Sequence, residues 1–117
     1  MNEKLFKDRT KKLALQVIKM AESLPKTRAA DIIGRQVLRS ATSIGANYRA
    51  ACRAKSTGDM IAKLSIVEEE SDETLYWFEL LVEAKIIPVE LLAPLIKEAD
   101  EITAMTVASI KTLRAKK

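Results

Sequence analysis

Apolar residues recur at three- and four-residue intervals along nearly the whole chain, and the interruptions in that rhythm predict four helices. The first covers about residues 3–22, with Phe6, Leu13, Val17, Met20 and Leu24 on one face, and Pro25 ends it. Thr27 suits the N-cap of a second helix over about 28–54, and Asp31 lies near its start, where the dipole favours an acid. Ile33, Val37, Ala41, Ile44, Tyr48, Ala51 and Cys52 face inward from it. Ser56 followed by Asp59 has the spacing of a capping box and opens a third helix over about 57–84. Its main stripe is Met60, Leu64, Val67, Leu75, Phe78 and Leu81. Pro88 suits the first turn of a fourth helix over about 89–114, and Pro94 either kinks that helix or marks the start of its long part. Leu92, Leu95, Ile96, Ala99, Ile102, Thr106, Ile110 and Leu113 carry its stripe. With only a tight turn between the second and third helices, these two should form an antiparallel hairpin.

A helix of a monomeric bundle needs one apolar stripe. Here two helices carry more. Leu15 and Ile18 fall off the main face of the first helix, and Ile66, Trp77 and Leu80, beside Tyr76, fall roughly opposite the main face of the third. Second clusters of this kind mark subunit interfaces, so self-association is expected; the plainer reading is a core face that wraps further round each helix.

Composition narrows the chemistry. Three Gly and three Pro in 117 residues leave little material for the turns of a sheet protein, so the expectation is one all-α domain over residues 1–117. The absence of His removes the commonest general base and metal ligand, and no catalytic kit is visible, so no enzyme and no cofactor are expected. The single Cys52 can close no internal disulfide, the charged N-terminal segment carries no apolar signal region, and no apolar run approaches a membrane span. A cytoplasmic protein is expected.

Charge is partitioned along the chain. Residues 1–22 hold six basic and three acidic side chains, and residues 23–56 hold seven and one. Residues 57–87 reverse this with two and eight, and residues 88–117 hold five and four. Arg28, Arg35, Arg39, Arg49 and Arg53 fall within about 80° of one another on the second helix, opposite its apolar face. All are arginine, whose fork suits phosphate or carboxylate. Three readings stay open: a solvated face, pairing with the acids of the third helix, or a nucleic-acid footprint extended by Lys55, Lys116, Lys117 and the basic residues of the first helix. No base-reading motif is present, so nucleic-acid binding would be led by phosphates.

The third helix carries Glu68-Glu69-Glu70-Ser71-Asp72-Glu73. Glu69 with Asp72, and Glu70 with Glu73, share faces, but carboxylate di-metal bundles add a His to each Glu pair, so no metal centre is expected. Glu70 and Glu73 lie beside Trp77, where pairing with arginine at an interface is the natural role.

The run Gln36-Val37-Leu38-Arg39-Ser40-Ala41-Thr42-Ser43-Ile44-Gly45-Ala46-Asn47-Tyr48-Arg49 resembles the second-helix signature of the 23S rRNA intervening-sequence proteins, also called the four-helix bundle protein family. Lys63-Leu64-Ser65-Ile66-Val67-Glu68-Glu69-Glu70 and Glu73-Thr74-Leu75-Tyr76-Trp77 resemble its third-helix signature. The resemblance covers essentially the whole chain. It implies an antiparallel up-down-up-down four-helix bundle whose subunits form a ring, a homopentamer, and it implies a link to RNA or DNA. A related protein, the accessory variability protein of diversity-generating retroelements, implies a reverse transcriptase as a partner. With the resemblance in view, Gly45, Ala46 and Asn47 become small residues where a neighbouring backbone approaches, and Arg39, Ser43 and Asn47 form a polar ladder placed to meet Glu70 and Glu73. The function expected is a non-enzymatic homo-oligomer that binds RNA or DNA through phosphate contacts. The alternative is a scaffold holding an acidic partner or a reverse transcriptase, with the arginine stripe paired to the acids of the third helix.

Overall fold

The computed structural model describes residues 2–116, and Met1 and Lys117 lie outside them. Four helices account for nearly all of that length: α1 (Glu3–Glu22), α2 (Arg28–Cys52), α3 (Thr57–Glu83) and α4 (Val89–Lys116). There is no strand among the described residues. Each helix packs on its neighbour in the chain, and α1 also touches α4, so four seams enclose one core in a rod of 47 × 20 × 20 Å.

The helix starts follow from local chemistry. Asn2, Thr27 and Ser56 cap α1, α2 and α3, their side chains accepting from the backbone N–H of Leu5, Ala30 and Asp59. This satisfies donors that a helix start otherwise leaves orphaned. The Asp59 carboxylate closes the return contact one residue earlier than a capping box would, accepting from the Lys55 N–H at 3.1 Å. α1 ends where the sequence reading places it, and the ends of α2, α3 and α4 differ from that reading by one or two residues. α2 stops at Cys52 because Arg53 and Ala54 donate to carbonyls three residues back, tightening the last turn. Pro88 precedes α4, accepting from the Leu91 N–H, and Pro94 sits inside the helix. Its missing N–H affects only the exposed Glu90 carbonyl in the opening turns.

α3 ends without a glycine. Lys85 takes the left-handed conformation at φ 58°, while Ile86 and Lys85 donate to the carbonyls of Leu81 and Val82. These are the two bonds of a Schellman motif.

Phe6, Leu13, Val17, Val37, Ile44, Leu64, Val67, Phe78, Leu81, Leu92 and Ile102 are sealed from solvent. Phe6 meets Tyr48 edge-on at 4.5 Å across the α1–α2 seam. The stripes read from the sequence are corrected at several places. Ile33, Cys52, Met60, Leu75, Ile96 and Leu113 are only partly buried, whereas Ala30, Gly34, Ser40, Ser71 and Thr74 are inside. The buried hydroxyls bond across seams. Ser40 and Thr74 lie 2.8 Å apart between α2 and α3, and Ser71 and Thr103 lie 2.8 Å apart between α3 and α4. Paired in this way, hydroxyls cost little in a core and fix the facing register.

α1 approaches α2 closely at Gly45. A Cβ there would lie 3.2 Å from the Thr10 hydroxyl and 3.5 Å from its Cβ, and Thr10 is itself buried. Gly45→Leu should therefore force the seam apart and cost about 1–3 kcal/mol, seen as a lower urea midpoint. Lys85→Gly should raise that midpoint, because glycine enters the left-handed region without the ~1 kcal/mol that a side chain costs there. A midpoint lowered by Lys85→Gly would contradict the cap described here.

Candidate nucleic-acid interface

The arginines expected to form one stripe meet different fates. Arg39 turns toward α3, and its guanidinium contacts Glu70 at 3.2 Å and also Glu73. Glu73 is held from a second side by the Trp77 indole N–H at 2.9 Å. The Trp77 indole and the Arg39 guanidinium together hold the Glu73 carboxyl below its ordinary range, against the opposing push of burial. Arg35 pairs with Asp31 one turn back on its own helix. Arg28, Arg49, Arg53 and Lys55 are exposed, and none forms an ion pair among the described residues. Lys116 is exposed at the end of α4, and Lys117 lies outside the described residues.

Of the polar ladder, only Arg39 reaches the acids. The Ser43 hydroxyl donates to the Arg39 carbonyl and the Asn47 amide to the Ser43 carbonyl, so both bond their own helix. A short side chain one turn from a free lone pair satisfies itself locally before it can span a seam. The apolar residues set aside for an interface divide as well. Leu15 is 59 % exposed and Tyr76 52 %, with Ile18 and Ile66 also exposed. Leu80 is half-buried, and Trp77 packs partly against the core while stacking edge-on with Tyr76 at 5.1 Å.

One ion cluster was not legible in the sequence. Arg9 on α1 forks onto Glu98 of α4 through two bonds of 2.9 and 2.6 Å, and reaches Glu101 at 2.9 Å. A bidentate, partly buried contact of this kind is the strong form of an ion pair. The only hint was the i,i+3 spacing of Glu98 and Glu101, since nothing local names a partner some ninety residues away. The Arg9 fork holds Glu98 below the usual carboxylate range.

Burial pushes the Cys52 thiol up, so at neutral pH it is protonated and a poor nucleophile. Among the described residues no three Cys, Asp or Glu side chains converge as metal ligands, and no helix is long and apolar enough to cross a membrane. What remains on the surface is a division of charge. α1 and α2 carry ten basic and four acidic side chains, while α3 and α4 carry five and twelve.

The family model for the 23S rRNA-intervening sequence protein matches residues 4–108. The chain belongs to this family. It is also similar to a crystallised protein of unknown function from the S23 ribosomal protein family of Bacteroides thetaiotaomicron. The two are 34% identical and superpose with a TM-score of 0.87 over 95% of this chain and 99% of that one. No curated protein matches the sequence. Membership of the 23S rRNA-intervening sequence family thus rests on sequence and fold together, and assigns no chemistry by itself.

The lowered carboxyls of Glu73 and Glu98, with that of Asp59, which the Lys55 N–H and Lys63 hold at the start of α3, give the bundle a defined acid response. A group whose folded value is depressed adds stability above its unfolded value, near pH 4.3, and loses it as the pH falls through the folded value. Urea midpoints should therefore hold steady at neutral pH and fall below about pH 4.3. Glu73→Gln combined with Glu98→Gln should be less stable at pH 7 but should lose less on acidification. An acid slope unchanged by the double substitution would refute the assignment.

Proposed function

We propose that this protein is a non-enzymatic, cytoplasmic homo-oligomer that binds RNA or DNA through phosphate contacts from its basic α1–α2 half. The observation that carries the proposal is the set Arg28, Arg49, Arg53 and Lys55, which stays exposed and without ion pairs among the described residues while Arg39 is neutralised. A surface kept only for solubility balances its signs, whereas this half carries ten basic side chains against four acidic ones. The self-association rests on Leu15, Ile18, Ile66 and Tyr76, which expose apolar area on both halves of the rod. Short connections between long helices support an up-down-up-down order in each subunit. A pentameric ring is what the family resemblance implies.

A second reading has its own support. Arg39 already pairs with Glu70 and Glu73, so the stripe suits carboxylates, and an acidic protein surface, such as one on a reverse transcriptase, would meet the same cations. A partner that co-purifies after exhaustive nuclease treatment would favour that reading.

Anisotropy titration of a mixed-sequence RNA or DNA decides the first. Four phosphate contacts predict about a hundredfold weakening between 50 and 200 mM salt, since the slope is roughly −0.9 per contact on duplex. No binding at 50 mM salt, or binding indifferent to salt, would remove the proposal.

A further inference from the structure

Between the N-terminal half of α1 and the C-terminal half of α2 runs an open groove of about 430 Å³. Its floor is built from small side chains, with Gly45 and Ala46 on α2 facing Thr10 and Ala14 on α1. The rim is basic: Lys4, Lys7 and Lys11 from α1, and Arg49 from α2, against one acid, Asp8. Lys4 reaches Asp8 only at 3.6 Å between highly exposed side chains, and Lys7 pairs with the exposed Glu3 at 3.2 Å, contacts worth little in water. Lys11 and Arg49 have no ion pair among the described residues.

We infer that this groove is the principal seat of the nucleic acid and holds the phosphates of a single strand segment. The inference rests on the nucleic-acid reading above and moves its centre from the outer arginine stripe to the α1–α2 seam. Three features argue for it. Lys4, Lys7 and Lys11 stand at three- and four-residue spacing on one face of α1, spanning about 10 Å at 1.5 Å per residue. One strand of a duplex presents a charge per 3.4 Å of axis, so about three phosphates match that span. Ala14, Gly45 and Ala46 put no long side chain into the groove, so a backbone can reach its floor. Its four rim cations converge from two helices, so a phosphate inside meets charge from both sides. At the far end of α2, by contrast, the cavity holding Lys26, Arg28 and Arg35 also holds Glu22 and Asp31, which offset most of that charge.

The test uses the full chain and a labelled mixed-sequence 20-mer, as RNA and as DNA, across a salt series. Lys11→Gln with Arg49→Gln should weaken binding at least tenfold at low salt and lower the salt slope by about 1.4–1.8, the share of two contacts. Ala46→Glu, at an exposed helical position, should do the same by placing an acid in the groove without touching a cation. Arg28→Gln with Arg35→Gln, in the outer stripe, should weaken binding by a clearly smaller factor than the Lys11/Arg49 pair does. If the wild type binds and both groove variants bind equally well, the groove is overturned while the nucleic-acid reading stands. Equal losses from the Lys11/Arg49 and Arg28/Arg35 pairs would also overturn it, in favour of a diffuse basic face. A wild type that binds neither strand overturns both readings.

Discussion

The approach of α1 to α2 at Thr10 and Gly45 is the contact on which the remaining structure depends. A Cβ at position 45 would stand 3.2 Å from the hydroxyl of the buried Thr10, so a side chain there needs the threonine to give way. Holding the seam this tight seals Phe6 against Tyr48 and sets the depth of the groove between the helices. It also brings the lysines of α1 beside Arg49 of α2. Glycine in mid-helix costs about 1 kcal/mol relative to alanine, a cost that makes sense only where backbones must come close.

The other seams are held by polar contacts of decreasing burial. Ser40 with Thr74, and Ser71 with Thr103, join α2 to α3 and α3 to α4 inside the bundle. Nearer the surface, Arg39 ties α2 to α3 and Arg9 ties α1 to α4. These two forks take two arginines from the basic half and four acids from the other half. The charge that remains is therefore less polarised between the two halves than the sequence implies, and the groove between α1 and α2 collects Lys4, Lys7, Lys11 and Arg49 from what is left on the basic half.

Local signals account for what was legible in the sequence. Proline, threonine and serine at the breaks located all four helices, because caps act through the nearest three residues. The end of α3 carried no such mark, since Lys85 occupies a position usually held by glycine. Periodicity found the apolar core but passed over Ser40, Ser71 and Thr74, whose polarity hides their burial until a partner across the seam is known. Placing five arginines on one face of α2 was a wheel argument. The polar ladder places Arg39 against Glu70 and Glu73, where the structure has it, but nothing in the sequence signals that Arg49 faces the lysines of α1. Arg9 was invisible for the same reason: long-range pairing is a property of packing.

In the functional account proposed here, assembly must bury the apolar area around Leu15, Ile18, Ile66 and Tyr76 while leaving the basic half open to a polyanion. Light scattering of the intact protein, alone and with nucleic acid at low salt, tests that requirement most directly. The account predicts one defined oligomer of the 13.0 kDa chain that takes up nucleic acid with its subunit number unchanged. A stable monomer at micromolar concentration, or an oligomer that dissociates as nucleic acid binds, would contradict it.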